Sequence, residues 1–208
     1  MRLRSKPVLC NYYVTYRCNA KCSFCDIWEK PSPYITLEDV AQNLRDLKKL
    51  GVQVIDFTGG EPLLHRQIDQ MLGMAHDMGF ITTLTTNGML YPKLAERLKG
   101  KVDMLHFSLD STHKEEHDTG RGVACYDFVM ESIQVAKQLG ERPDILFTAF
   151  RHNLDQLEEV YRTITQPNKL MLIINPAFEY NEVAVGEQLT EEELNYLTAF
   201  GKRKGQRH

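Results

Sequence analysis

No run of apolar residues in this 208-residue chain approaches the roughly 18 needed to span a bilayer. The opening stretch from Met1 to Val8 carries charge with no signal-peptide core behind it. Neither a membrane span nor a secretory leader is expected, and a cytoplasmic protein is. An excess of one charge is also missing: 25 basic against 28 acidic side chains leave a formal −3, scattered along the chain. Without a basic field, nucleic acid is not expected as a partner. Cysteine is scarce, five in all, and an odd count does not suit a disulfide framework. Three of the five fall between Cys18 and Cys25, a clustering that suits metal ligation in a reducing compartment. No low-complexity segment or linker interrupts the sequence. With 42% hydrophobic residues the chain can bury one substantial core and is short for two domains.

What is present is a repeat of strand and helix patterns. A strand is expected over Val8 to Thr15, then an amphipathic helix from Leu37 to Leu50 with Thr36 as its N-cap and Glu38 and Asp39 in the first turn. Five further pairs follow: Val52 to Phe57 with Gln67 to Met78, closed by Gly79; Ile81 to Thr85 with Pro92 to Leu98; Met104 to Ser108 with Asp127 to Leu139; Ile145 to Ala149 with Leu154 to Ile164; and Leu170 to Asn175 with Glu191 to Phe200. Six βα units imply an α/β fold with parallel strands and helices outside. Eight would close a barrel, so six predict an open, partial (β/α)6 barrel of the TIM type. We expect one core domain over residues 1–200, with the polar, basic residues 201–208 as a frayed or truncated end.

The longest irregular stretch, Cys18 to Ser32, contains the spacing C-x-x-x-C-x-x-C at Cys18, Cys22 and Cys25. Thiolates select iron–sulfur clusters, zinc or copper(I). A cubane cluster ordinarily takes four thiolates, so three on one loop would leave one iron open for chemistry. The competing reading is a structural zinc site completed by Cys10, Cys125 or a histidine, although zinc loops more often use separated C-x-x-C pairs. A non-catalytic electron carrier would need four ligands. Polar groups also end two strands at the same rim. Thr86-Asn87-Gly88 follows the third and Ser108-Leu109-Asp110 the fourth, where they could hydrogen-bond ribose hydroxyls or a carboxylate.

The cysteine triplet, with the aromatic Phe24 just before its last member, resembles the signature of the radical S-adenosylmethionine (SAM) superfamily. The similarity is strongest to the branch holding the molybdenum-cofactor cyclase and the peptide- and sulfatase-modifying enzymes, and it extends over nearly the whole chain. The resemblance implies a 4Fe-4S cluster on Cys18, Cys22 and Cys25, with S-adenosyl-L-methionine bound at its open iron; the two remaining cysteines, Cys10 and Cys125, are too few for a second cluster, so one is expected. It implies that Gly59-Gly60-Glu61-Pro62 holds the methionine amino group, and that Phe24, Thr86, Asn87, Ser108 and Asp110 contact the cofactor. Arg121, in His117-Asp118-Thr119-Gly120-Arg121-Gly122, would lie near the cofactor's carboxylate or the substrate, since a guanidinium binds both oxygens of a carboxylate in one plane. The activity implied is reductive cleavage of SAM to a 5'-deoxyadenosyl radical that abstracts hydrogen from a substrate, with flavodoxin or ferredoxin as electron donor. The substrate is not named by the sequence; a peptide or protein is the class the modifying enzymes suggest.

One pattern competes for a different chemistry. His113-Lys114-Glu115-Glu116-His117 fits H-x-x-E-H, the inverted zinc-protease motif. It needs a stable helix and a third ligand, and the sequence here reads as a loop after Ser108 to Asp110. Trp28, Tyr34 and Phe178 are read as packing rather than as substrate contacts, and Arg151 and Asn175 as residues able to point into the barrel mouth.

Overall fold

The computed structural model describes residues 6–177 and 186–205. Its six strands are β1 (Leu9–Thr15), β2 (Val54–Gly59), β3 (Ile81–Thr86), β4 (Met104–Ser108), β5 (Asp144–Ala149) and β6 (Leu172–Pro176). They form one parallel sheet in the order β1-β2-β3-β4-β5-β6. β1 and β6 are its two edges, so the barrel is open, as expected from six units.

The helices between them follow the expected periodicity. Helix α1 (Leu37–Leu50) starts at a capping box in which Thr36 Oγ1 accepts from the Asp39 amide while the Asp39 carboxylate accepts from Thr36. It stops at Gly51, whose φ of 92° is a left-handed conformation suited to glycine. Helices α2 (Ile68–Asp77), α3 (Tyr91–Leu98) and α5 (Tyr126–Gln138) bury Met71, Leu72, Ala95, Leu98, Val129 and Ile133. These meet the strand residues Ile55, Phe57, Leu84, Phe107, Ile145 and Phe147, all completely buried, in one core cluster.

Three stretches depart from expectation. Lys114–Arg121 is a helix, α4, rather than a loop. Its polar composition carries no apolar stripe, because the residues it buries are His117 and Arg121. The segment after β5 is divided into α6 (Gln156–Val160), a π-helical turn (Tyr161–Thr165) and α7 (Gln166–Asn168). The last helix, α8, runs Glu191–Gly205. The first part of the expected frayed end is therefore helical, and residues 206–208, like Phe178, lie outside the described residues. No helix among the described residues is long and apolar enough to cross a membrane.

Candidate active site

Three loops meet at the C-terminal edge of β1 to β4, where barrel sites are built. The cysteine loop leaves β1 and is held from two sides. On one side Gly60 and Glu61 donate their amides to the carbonyls of Thr15 and Arg17, both at 2.8 Å. A Cβ on Gly60 would lie 2.3 Å from the Arg17 oxygen, and one on Gly59, at φ 135°, 2.2 Å from the Thr15 oxygen. Both glycines are thus required for backbone to meet backbone, before any ligand is considered. On the other side the amides of Lys21 and Ser23 donate to the carbonyls of Arg121 and Gly120 at the end of α4. Trp28 covers the loop, its Nε1 donating to the Cys25 carbonyl at 2.9 Å.

Glu61 is completely buried. Its Oε1 accepts from Thr86 Oγ1 at 2.7 Å and from the Leu63 amide at 3.0 Å, and its Oε2 from the Asn87 amide at 2.8 Å. Burial outweighs these donors and pushes the carboxyl up to about 7. Its role here is a brace between the glycine turn and the end of β3. Neither Glu61 nor the buried Pro62 is among the residues lining the cysteine cavity. Asn87 extends the brace, its Nδ2 donating to Asn19 Oδ1 in the cysteine loop at 2.7 Å. Asn19 was not singled out from sequence, and its place inside the cysteine loop was the available signal.

Cys18, Cys22 and Cys25 line one cavity of about 160 Å³ with Phe24, Gly59, Gly60, Thr86, Asn87, Ser108 and Arg121. Burial raises the Cys18 thiol to about 11, with Glu61 and the other thiols adding to it; burial raises Cys22 as well, against the pull of Arg121. The three sulfurs are not all within 4.8 Å of one another: among the described residues the one trio of ligand atoms that close is His117, Asp118 and Cys125. Tetrahedral zinc with Zn–S bonds of 2.3 Å would require sulfurs about 3.8 Å apart. Three spread thiols suit a cluster of several irons better than one ion, and neither Cys10 nor Cys125 lines the cavity.

Arg121 supplies the second feature. It is buried, and its Nε donates to Asp110 Oδ2 at 2.7 Å. Its Nη2 forms an ion pair with the same oxygen at 2.6 Å but no hydrogen bond of good geometry, and the guanidinium also draws the Cys22 thiol down, against the burial that raises it. An orphaned N–H in a cavity of thiols fits an anionic group placed there. Asp110 is held in turn, its Oδ1 accepting from the Thr148 amide at 2.9 Å.

A larger cavity, about 550 Å³, adjoins the first through Phe24 and is lined by Asp110, His117, Gly120, Phe150 and Asn153. The Phe24 and Phe150 rings lie 4.7 Å apart, and His152 stacks on Phe150 at an interplanar angle of 12°. Phe150 was missed in the sequence because it follows β5 with no motif around it.

The H-x-x-E-H pattern does not converge. His113 is half-exposed and engages Glu116 and Glu159. His117 is buried, its Nδ1 accepting from the Asp110 amide at 3.3 Å and its Nε2 3.3 Å from Cys125 Sγ. Asp118 Oδ1 accepts from the amides of Cys125 and Tyr126, both at 2.8 Å, and so caps α5. Arg151 pairs with Glu193 and with the Gln188 carbonyl rather than entering the barrel, and Asn175 is exposed on the edge strand.

The sequence profile of the radical SAM superfamily matches residues 12–164, which spans all three loops. The chain belongs to the radical SAM superfamily. It is 33% identical over 195 residues to a probable GTP 3',8-cyclase of Methanocella arvoryzae, covering 88% of this chain and 63% of that protein. It is 30% identical over 184 residues to the corresponding protein of Saccharolobus islandicus, covering 86% and 59%. The chain thus spans less than two thirds of the curated relatives it matches. Its fold is shared with SuiB of Streptococcus suis bound to S-adenosylmethionine (TM-score 0.79, 22% identity, 96% of this chain and 49% of that one). It is shared also with native anSMEcpe bound to AdoMet and a peptide (TM-score 0.76, 18% identity, 97% and 62%). The superfamily implies an iron–sulfur cluster and SAM; the sequence likeness is to probable cyclases, and the likeness to SuiB and anSMEcpe is one of fold.

Proposed function

We propose that this chain holds one 4Fe-4S cluster on Cys18, Cys22 and Cys25 and cleaves S-adenosylmethionine reductively, to abstract hydrogen from a substrate at the open barrel face. The observation that carries this reading is the cavity itself, where three spread thiols face the orphaned donor of the buried Arg121. When bound, cluster and cofactor supply a single-electron cleavage of a carbon–sulfur bond, with the electron delivered by a flavodoxin or ferredoxin.

The chain's own residues do the holding. Arg121 Nη2 is positioned for the methionine carboxylate, with its charge fixed by Asp110. Ser108, Thr86 and Asn87 offer further polar atoms along the same cavity. The neighbouring cavity, walled by the Phe24 and Phe150 rings, suits the flat adenosine end. In that reading Phe24, which lines both cavities, would touch SAM between its two ends. The glycine turn, Glu61 and Asn87 act on the cofactor through the loop they brace. Two precedents bear on the substrate: similar proteins are probable GTP 3',8-cyclases, and a structural neighbour binds a peptide.

The test is anaerobic reconstitution with iron and sulfide, strong reduction and chromatography of the nucleoside products. Formation of 5'-deoxyadenosine without added substrate is expected. A protein that binds SAM but never forms it would favour an electron carrier, and tightly bound zinc without iron would revive the structural reading.

A further inference from the structure

Reductive chemistry at the cysteine cavity requires an electron carrier to dock within reach of it. The cofactor positions proposed above take the walls formed by Arg121, Ser108, Thr86 and Asn87, together with the cavity beyond Phe24. A carrier is left with the outer side of the cysteine loop.

The two ends of that loop are tied together beside β1. Ser32 Oγ accepts from the Tyr16 amide at 2.7 Å and lies 2.9 Å from Thr15 Oγ1. Arg17 lies over the Tyr34 ring, 4.4 Å from its centroid, and its Nη1 donates to the Tyr34 hydroxyl at 3.1 Å. These ties flank a hollow of about 480 Å³ that reaches to α1. Of the five exposed Phe, Tyr or Trp rings among the described residues, three line it: Tyr13, Tyr16 and Tyr34, at 50%, 39% and 54% exposure. Tyr34 is therefore not the packing residue that its sequence setting suggested. Exposed apolar side chains scattered singly need no explanation, but rings gathered beside an arginine have the composition of an interface centre.

Position and charge identify the partner. Tyr16 and Arg17 immediately precede Cys18, which puts the Tyr16 Cα within about 7 Å of the Cys18 Cα. Trp28 lines the cysteine cavity itself, and Lys21 Nζ sits 5.2 Å from the centre of its ring. The side chains of Arg17 and Lys21 engage Tyr34, Ser32 and Trp28 rather than a carboxylate. Between residues 16 and 30 the other charges are the Asp26–Lys30 pair and Glu29, so three cations face two anions, a net +1. Asp39, on the wall of the hollow, is engaged in the α1 capping box. The whole chain is −3. An acidic partner is thus repelled by the molecule at large and drawn to this loop.

We propose that the outer side of the cysteine loop, with Arg17, Lys21 and the hollow of Tyr13, Tyr16 and Tyr34, docks a small acidic one-electron carrier. The inference rests on the radical SAM reading for the cluster that the carrier serves. With flavodoxin as carrier, the flavin passes from hydroquinone anion to neutral semiquinone and the cluster gains that electron; no bond forms or breaks and no proton moves.

The test uses the reconstituted protein and flavodoxin hydroquinone at subsaturating concentration, with anaerobic stopped-flow bleaching of the cluster absorbance as the readout. Arg17→Gln with Lys21→Gln should slow bleaching about tenfold at low ionic strength. That difference should vanish near 1 M salt, where the Debye length is about 3 Å. Tyr34→Ala should slow it about fivefold at every salt concentration. Bleaching by dithionite, which needs no docking, should be the same in all, and cluster content with circular dichroism checks that each variant is folded. The control is Arg66→Gln with Lys93→Gln, on a second cationic hollow between α2 and α3 whose lining residues neighbour no cysteine in the chain; flavodoxin should reduce it at the wild-type rate. Unchanged flavodoxin rates in the loop variants, slowing in the control instead, or a wild-type rate insensitive to salt would each overturn the docking face. Bleaching by flavodoxin reads docking and formation of 5'-deoxyadenosine under dithionite reads cleavage, so the two proposals fail separately; a chain that takes up no cluster overturns both.

Discussion

The Lys21 amide donates to the Arg121 carbonyl at 3.1 Å, so the cysteine loop and the last turn of α4 are joined backbone to backbone. The joint leaves no room for a side chain at the next residue. Gly122 has φ 64°, and a Cβ there would stand 2.3 Å from the Lys21 oxygen. We expect Gly122→Ala to lower stability by about 1–3 kcal/mol and to displace the loop, reducing iron uptake. Gly140→Ala is the control: its φ of 82° brings similar strain, but nothing lies within 4 Å. Thermal melts should fall in both variants and iron content only in the first.

Removing Arg121 tests a different link. Arg121→Met would leave Asp110 buried without its cation, and losing one member of a buried pair costs about 3–5 kcal/mol. Asp110→Asn with Arg121→Met removes both charges and should recover part of that loss in urea denaturation. SAM affinity should fall in both, because the orphaned donor is gone in each. Full SAM affinity in Arg121→Met would show that the cofactor's carboxylate lies elsewhere.

Single Cys→Ala substitutions at Cys18, Cys22 and Cys25 should each abolish the cluster absorbance, while Cys10→Ala and Cys125→Ala should retain it. Cys10 lies on β1 against the core, and Cys125 is engaged with His117. Iron and acid-labile sulfide should approach about four of each per chain. Iron nearer eight would mean that a second ligand set has been overlooked.

Much of this was legible in the sequence where side-chain chemistry and periodicity speak together. Thr36 with Asp39 and the apolar strand runs each led to the element that is found, and the cysteine spacing marked the loop that lines the cavity. The failures have a common cause, namely burial of polar groups. Helix α4 hides from hydrophobic periodicity because its inward face is His117 and Arg121. The bracing contacts of Glu61 were equally hidden, because its three donors come from Leu63, Thr86 and Asn87, which only the folded chain brings to it. The polar face of β2 left a trace that could have been followed: apolar Ile55 and Phe57, both buried, alternate with polar Asp56 and Thr58.

The same buried groups set how stability responds to pH. Glu61 is raised by burial from its ordinary 4.5 to about 7. Between those values the folded chain holds a proton that the unfolded chain has released, so stability rises as pH falls through the window. His117 runs the other way. Burial, helped by the Arg121 charge, lowers it from 6.5 to about 4, and protonating it would set an Nδ1–H against the Asp110 amide that now donates to that nitrogen. Between 6.5 and about 4 the unfolded chain holds the extra proton, so stability falls as pH falls. The windows nearly coincide and the signs oppose, so the reduced apoprotein should show a nearly flat contribution from this pair. The variants should uncover each half. Glu61→Gln should lose stability on acidification from pH 7 to 4.5, and His117→Gln should gain it, each with a slope of at most about 1.4 kcal/mol per pH unit. Urea midpoints measured across the window decide it. Parallel pH profiles in the two variants would mean that neither group carries the shift assigned to it.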